Sequence, residues 1–131
     1  MKYYINNTFH TDFNSAVRLT KDALKKEGFG VLSEIDIQQK LEEKLGVEFR
    51  KYKILGACNP PSAFKALQEE DKIGTMLPCN VIVQEKEEHL VEVAAVDPVA
   101  SMAALENKKV EQIAREIREK LVRVIDSIHV K

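Results

Sequence analysis

The spacing of apolar residues near the start of the chain predicts a strand followed by a helix. The segment "KYYIN" (residues 2–6) is typical of a short strand. From Phe13 onward, apolar residues recur every three or four positions, which is the spacing of one helix face. Thr11 or Asp12 is placed to cap the start of this helix, and Gly28 is placed to end it.

The middle of the chain predicts two further strands with a helix between them. In "FGVLSEIDI" (residues 29–37) apolar and polar residues alternate, so we expect a strand whose buried face includes Val31 and Ile35. The segment "DIQQKLEEKLG" predicts a short helix that stops at Gly46. The segment "VEFRKYKILGA" (residues 47–57) then predicts the next strand.

A capped helix, a hairpin and a long final helix are predicted in the second half. Asn59 is a predicted N-cap, with two prolines directly after it at positions where a missing N–H costs little. The segments "NVIVQE" (residues 80–85) and "HLVEVAAV" (residues 89–96) predict two strands joined by the charged turn "KEEH". Asn107 caps a last helix with a wide apolar stripe, made of Val110, Ile113, Ala114, Ile117, Leu121, Val124, Ile125 and Ile128.

These elements predict a two-layer α+β fold in a single domain, residues 1–131. The order is β-α-β-(α)-β-(α)-β-β-α. Because helices separate the strands only in part, we expect a largely antiparallel sheet with helices on one face. A chain of this length can bury a hydrophobic core without disulfides or a structural metal.

Composition and charge narrow the class of protein. Apolar residues make up 44% of the chain and charged residues 31%, which is ordinary for a globular domain, and the net charge is −1. A nucleic-acid-binding protein is disfavoured because it would carry a basic surplus. The N-terminus lacks the apolar run of a secretory signal, and no segment reaches the ~20 apolar residues of a membrane helix. We therefore expect a cytoplasmic protein with reduced thiols.

The only two cysteines each precede an asparagine, in "GACNPP" and "LPCNVIV". We pair the hairpin with Lys86 opposite His89, and the strand of residues 47–57 antiparallel to its first strand. Five residues then meet at one end of the sheet: Cys58, Asn59, Cys79, Asn80 and Asp97. The start of the helix capped by Asn59 is expected there as well, where free N–H groups favour an anion and lower the pKa of a nearby thiol.

Four interpretations of this convergence remain open. In the first, the asparagines cap a helix and satisfy a strand end, and both cysteines are small buried hydrophobic residues. In the second, Cys58, Cys79 and Asp97 bind zinc or Cu(I). In the third, a Cys58 or Cys79 thiolate is a redox or nucleophilic centre. In the fourth, the polar groups line a pocket for a small ligand without metal.

A second candidate site consists of two carboxylates. Glu34 and Asp36 are two residues apart on a predicted strand, so their side chains should share a face. Such a pair can perform acid–base chemistry or bind a hard cation. More often such carboxylates pair with basic residues on the next strand, which "FRKYK" (residues 49–53) supplies.

Four segments together resemble the bacterial and archaeal family known as domain of unknown function 302: "GFGVLSEIDIQQKL", "YKILGACNPPSAFKAL", "LPCNVIVQE" and "AVDPVASM". The resemblance covers roughly residues 11–102. It implies a small α+β fold of the β-α-β(4)-α kind, often dimeric, without an established activity. Its motif positions correspond to Glu34, Asp36, Gly56, Cys58, Asn59, Pro60, Leu77, Pro78, Asn80, Asp97 and Pro98.

The leading functional hypothesis is a small-ligand or metal-binding module at the end of the sheet where the two "CN" pairs meet. The alternatives are an enzyme or redox protein that uses a cysteine thiolate, and an interaction protein without chemistry. The strands around residues 81–83 and 93–96 are apolar on both faces. Because helices cover one face, the other is free for a partner subunit, and we expect a homodimer.

Overall fold

The structure, a computed structural model, describes residues 2–130. Its strands are β1 (Tyr4–His10), β2 (Gly30–Asp36), β3 (Tyr52–Cys58), β4 (Cys79–Glu87) and β5 (Leu90–Val96). Its α-helices are α1 (Phe13–Lys26), α2 (Ile37–Leu45), α3 (Pro60–Glu69), α4 (Pro98–Ser101) and α5 (Lys108–Ser127). Two short 3₁₀ helices, Asp71–Met76 and Ala103–Leu105, follow α3 and α4.

All five strands form one antiparallel sheet in the order β1-β5-β4-β3-β2. The predicted α+β fold with an antiparallel sheet is therefore confirmed. Asp12 caps α1 by accepting a hydrogen bond from the Ser15 N–H, and Gly28, with a φ of +84°, follows the end of that helix. Within residues 2–130, no helix combines the length and the apolarity that crossing a bilayer requires.

One face of the sheet is buried under α1 and α5. Side chains alternate between the two faces of a strand, so every second residue of the central strands points at these helices. Those residues have no exposed surface: Leu55, Ala57, Val81, Val83, Val91, Val93 and Ala95. Opposite them lie Leu24 of α1 and Leu121 and Val124 of α5, which are equally buried. At roughly 1.5–3 kcal/mol for each large side chain, this layer is the main source of stability.

The other side of the sheet, which we call the open face, carries three rows of residues that run across the strands. The first row contains Ser33, Gly56, Asn80, Val96 and Tyr4. The second row contains Ile35, Ile54, Ile82, Ala94 and Asn6. The third row contains Tyr52, Gln84, Glu92 and Thr8. An apolar row is thus flanked by polar groups on both sides.

The first strand lies further along the chain than residues 2–6. It spans Tyr4–His10 and pairs with the whole of β5, from Tyr4 opposite Val96 to His10 opposite Leu90. Asn6 and Asn7 have weak strand preference, and pairing with an interior strand of the sheet overrides that preference.

The second strand does not have the predicted buried face. A bulge between Val31 and Ser33 moves the residues beyond it to the opposite face. Leu32 is therefore 70% exposed, and Ile35 lies on the open face and is 42% exposed. The prediction was wrong because simple alternation assumes a regular strand, and β2 is an irregular strand at the edge of the sheet.

The hairpin register differs from the predicted one by a single residue. The turn is Glu88–His89, with Glu87 opposite Leu90, and a bulge between Glu85 and Glu87 adjusts the pairing. His89 adopts a positive φ of 60° in this turn. Likewise β3 begins at Tyr52 rather than at residue 47. A shift of one residue exchanges the two faces of a strand, so it decides which side chains can meet.

A substitution at Gly56 can test how closely the end of the sheet is packed. A Cβ at this position would collide with Ser33 Oγ and lie 2.9 Å from Pro78 Cγ. We expect Gly56→Ala to lower the free energy of unfolding by about 1–3 kcal/mol, because the Ser33 side chain and the Pro78 ring must move to admit the methyl group. Urea denaturation measures this change.

Gly30→Ala is the matched control, because a Cβ at Gly30 meets no atom within 4 Å. We expect it to change the free energy of unfolding by less than about 0.5 kcal/mol. Equal losses in the two variants would show that the close approach of Ser33 and Pro78 does not restrict residue 56.

Candidate functional site

Three of the five residues expected to converge do meet, but they enclose almost no space. Cys58, Asn59 and Cys79 line a cavity of about 10 Å³, whose remaining walls are mainly apolar. A volume of this size is at the lower limit for one water molecule. It cannot admit a small organic ligand, so this end of the sheet is part of the core.

Asn59 joins two helices. Its Oδ1 accepts a hydrogen bond from the Ser62 N–H at 3.3 Å and so caps α3, as predicted. Its Nδ2 donates to the backbone oxygen of Glu27 at 3.4 Å, at the end of α1. The side chain is buried and both of its polar ends are bonded. This asparagine therefore fits the structural interpretation and offers no group to a ligand.

The start of α3 offers few N–H groups, contrary to the expectation of an anion site. The first two helical positions are Pro60 and Pro61, which have no N–H to donate. The Ser62 N–H is bonded to the Asn59 side chain, and the Ala63 N–H makes the first helical bond, to the Asn59 carbonyl oxygen. Three of the four N–H positions that normally remain open at a helix start are thus lost to a ligand.

Burial makes Cys79 a poor nucleophile. Desolvation, with a smaller contribution from the nearby Cys58, raises the pKa of the Cys79 thiol to about 11. The thiolate is the reactive form, and at neutral pH it would be on the order of one molecule in ten thousand. Cys79 therefore behaves as a small hydrophobic residue in this core.

Asp97 is committed to other partners. Its carboxylate caps α4 by accepting from the Val99 N–H at 3.0 Å, and it forms an ion pair with Arg118 Nε at 3.0 Å. Among residues 2–130, no group of three or more His, Cys, Asp or Glu side chains is arranged to hold a metal ion. The structure thus does not gather Cys58, Cys79 and Asp97 into the predicted metal site.

The two carboxylates of the second candidate site, Glu34 and Asp36, have different partners. Glu34 forms ion pairs with Lys21 of α1 at 2.6 Å and with Lys53 of β3 at 3.0 Å. The hydrogen bond from Lys21, and then that from Lys53, lowers the pKa of Glu34. Asp36 instead caps α2 by accepting from the Gln39 N–H at 2.9 Å. The cross-strand pairing alternative accounts for Glu34, and capping accounts for Asp36.

Asn80 lies on the other side of the sheet from Cys79, because adjacent strand residues point in opposite directions. It lines a concavity of about 460 Å³ on the open face. The lining residues are Tyr3, Tyr4, Tyr52, Asn80, Ile82, Gln84, Lys86, Glu92, Ala94, Ala95 and Val96. Asn80 therefore lines a space of ligand size, and Glu34 lines a separate one of about 310 Å³ with its partners Lys21 and Lys53.

A hydrogen-bonded chain of side chains crosses the wall of this concavity. Arg50 Nε donates to Gln84 Oε1 at 2.8 Å, and Gln84 Nε2 donates to Glu92 Oε1 at 2.7 Å. From the other side, Asn6 Nδ2 donates to Glu92 Oε2 at 2.8 Å. These bonds hold the Glu92 carboxylate in one orientation on a half-buried surface.

Tyrosine rings line the concavity, and Tyr52 lies in the same row of the open face as Glu92. The Tyr52 ring lies beside the Arg50 guanidinium, with 5.9 Å between its centroid and the Arg50 Cζ. The Tyr4 ring has the Lys2 Nζ 5.2 Å from its centroid. Burial raises the pKa of the Tyr52 hydroxyl, so this group is a neutral hydrogen-bond donor at physiological pH. The concavity thus combines apolar, aromatic and hydrogen-bonding surface.

The sequence itself carries a signal for this site. Glu92 is the single charged residue within "LVEVAAV", and Gln84 follows three apolar residues in "VIVQ". A carboxylate or amide in the middle of an apolar strand needs partners on neighbouring strands. Identifying those partners required the sheet order, which places Glu92 between Gln84 on one side and β1 on the other.

Comparison with known proteins agrees with this architecture. The sequence profile of the family described as "Domain of unknown function DUF302" matches residues 5–128. The chain belongs to the DUF302 family. A crystal structure of an uncharacterized conserved DUF302 protein from Bacillus stearothermophilus is similar to it, with a TM-score of 0.91 and 27% sequence identity. The match covers 98% of this chain and 100% of that chain. No curated protein sequence matches the chain.

In this DUF302 chain Asn59 caps α3 and also bonds to the end of α1. Its loss should therefore destabilise the protein more than the loss of an ordinary helix cap. We expect Asn59→Ala to lower the free energy of unfolding by about 2 kcal/mol, because it removes the cap and leaves the Glu27 carbonyl oxygen without its partner. Asn107→Ala removes the cap of α5 alone and should cost about 1 kcal/mol. Urea denaturation compares the two variants, and equal losses would rule out a contribution from the bond to Glu27.

The environment of Cys79 predicts a shielded thiol. In Cys58→Ala protein, we expect alkylation of Cys79 to be slow at about pH 8 and to accelerate only as the pH approaches about 11. Because the native state holds this proton more tightly than the unfolded chain, the contribution of Cys79 to stability is complete below about pH 9 and is lost toward about pH 11. Cys79→Ala protein, which retains Cys58, is the control. A midpoint for Cys79 below about pH 8 would contradict burial.

Proposed function

We propose that this protein is a small-molecule-binding module whose site is the concavity on the open face of the sheet. The observation that carries the proposal is a space of about 460 Å³ with a prearranged polar network along its wall. Ligand pockets commonly have volumes of roughly 300–1,000 Å³ and combine apolar lining with a few oriented polar groups.

The two kinds of surface in the concavity have separate roles. Ile82 and Ala94 form an apolar floor on the central strands, and they can cover the organic body of a ligand. Asn80 and Glu92 lie on rows to either side of this floor and offer hydrogen-bonding groups. Because Gln84 and Asn6 hold Glu92 in place, little side-chain entropy is lost when a ligand binds.

The position of Glu92 favours a small molecule over a second copy of the chain as the occupant. A flat protein interface across the open face would bury this carboxylate in its centre, where charged residues are depleted in known interfaces. Burying a charge without an opposite charge is strongly unfavourable. The homodimer expected from the apolar strands therefore stays a prediction, as does the cytoplasmic location.

The enzyme and metal hypotheses receive less support. The Cys79 thiol is shielded, and the cavity it shares with Cys58 has no room for a substrate. Asp97 pairs with Arg118, which leaves the two cysteines without a third ligand for zinc or copper. Binding on the open face thus supersedes binding at the sheet end as our hypothesis.

Nuclear magnetic resonance of ¹⁵N-labelled protein tests the proposed site with a diverse library of small molecules. We expect the bound compounds to shift the backbone amides of Ile82, Gln84 and Ala94 more than those of α3. Ala94→Leu should weaken binding of every such compound about tenfold or more, because the larger side chain occupies the floor of the concavity.

Ala104→Leu is the control, because it makes the same change at an exposed position outside the site. Its binding should equal that of the unchanged protein. Shifts confined to the helical side of the sheet would contradict the proposal. Open-face amide shifts that depend on protein concentration alone, together with a dimer in sedimentation, would assign this face to a second copy instead.

A further inference from the structure

We infer that the ligand of the open face carries a protonated amine, and that the Glu92 carboxylate receives it. This inference rests on the proposed function, because it names the chemical class bound at the same site. It depends on which side chains hydrogen-bond to the Glu92 carboxylate and on whether any of them carries a positive charge.

Glu92 is hydrogen-bonded by neutral groups only. Its Oε1 accepts from the amide of Gln84, and its Oε2 accepts from the amide of Asn6. No cationic side chain of residues 2–130 forms an ion pair with it. The carboxylate is therefore oriented by neutral groups, and each oxygen can accept a further hydrogen bond.

The nearest guanidinium is held away from this carboxylate. Arg50 donates its Nε–H to Gln84 and stacks on Phe49, whose ring centroid lies 4.4 Å from the Arg50 Cζ. Gln84, which is buried, stands between the two charges and donates to Glu92 with its own amide. The arrangement fixes Glu92 without neutralising it, which leaves the neutralising charge to a ligand.

The aromatic rim suits the same class of ligand. Tyrosine faces attract ammonium groups, and here Lys2 and Arg50 already lie near the rings of Tyr4 and Tyr52. An organic amine can place its body on the apolar floor and its ammonium group between Glu92 and the Tyr52 ring.

Lys86 on the wall, and Lys2 and Arg50 beside the tyrosine rings, are cations that would favour an anion instead. All three side chains are exposed, so water and salt screen their charges strongly. Glu92 is half-buried and held by two hydrogen bonds, so its charge is screened less. The site therefore favours a cationic ligand over an anionic one, and an anionic probe tests this preference directly.

Three matched probes separate the possibilities: phenethylamine, 2-phenylethanol and 3-phenylpropionate, each titrated into ¹⁵N-labelled protein at low salt. They share an aromatic body and differ in carrying an ammonium, a hydroxyl or a carboxylate group. We expect phenethylamine to bind about tenfold more tightly than 2-phenylethanol, with shifts at the amides of Ile82 and Ala94. Glu92→Gln should remove that preference, whereas Glu88→Gln, the same change at the exposed hairpin turn, should retain it.

Equal binding of the amine and the alcohol, or preference for the carboxylate, would overturn this inference and leave the proposed small-molecule site intact. Absence of binding by all three probes at millimolar concentration would also overturn it, and the library screen then decides the proposed site separately. The comparison of amine with alcohol uses the unchanged protein, so the inference can be tested even if Glu92→Gln does not fold. A preference for the amine that persists in Glu92→Gln protein would place the ammonium group elsewhere.

Discussion

The structure depends on burying one face of a five-stranded antiparallel sheet beneath α1 and α5. Alternate residues of β3, β4 and β5, such as Leu55, Val83 and Val93, have no exposed surface. Because side chains alternate along a strand, this burial also decides what the opposite face carries. Cys79 points into the core and Asn80 points away from it for this one reason.

The end of the sheet where the two cysteines meet is held together by packing and hydrogen bonds. Asn59 connects the end of α1 to the start of α3, and Asp97 connects the start of α4 to Arg118 of α5. Asn59 and Asp97 therefore have partners within the fold. Polar contacts of this kind stabilise the structure.

The open face shows the opposite arrangement. Its central row is apolar and partly exposed, and a half-buried carboxylate lies beside that row without an opposite charge. Natural sheets usually cover or neutralise such features. Their combination in one concavity is the reason for locating function on this side of the sheet.

The sequence predicted most of the fold because its signals are local. The caps at Asp12, Asn59 and Asn107 were all recognisable from residue type and neighbouring helical spacing. The two prolines after Asn59 also argue against an anion site from the sequence alone, since they remove N–H groups that such a site requires.

The sequence by itself determined which segments form helices and strands, the antiparallel class of the sheet, and the role of Asn59 as a cap. Only the tertiary structure decided which residues share a face. Bulges near Ser33 and Glu85 shift the pairing by one residue, and their positions depend on contacts between strands rather than on local preference. The site lies around Glu92 because alternation along β5 turns this carboxylate to the open face, whereas the end of the sheet with the two cysteines is packed almost without space.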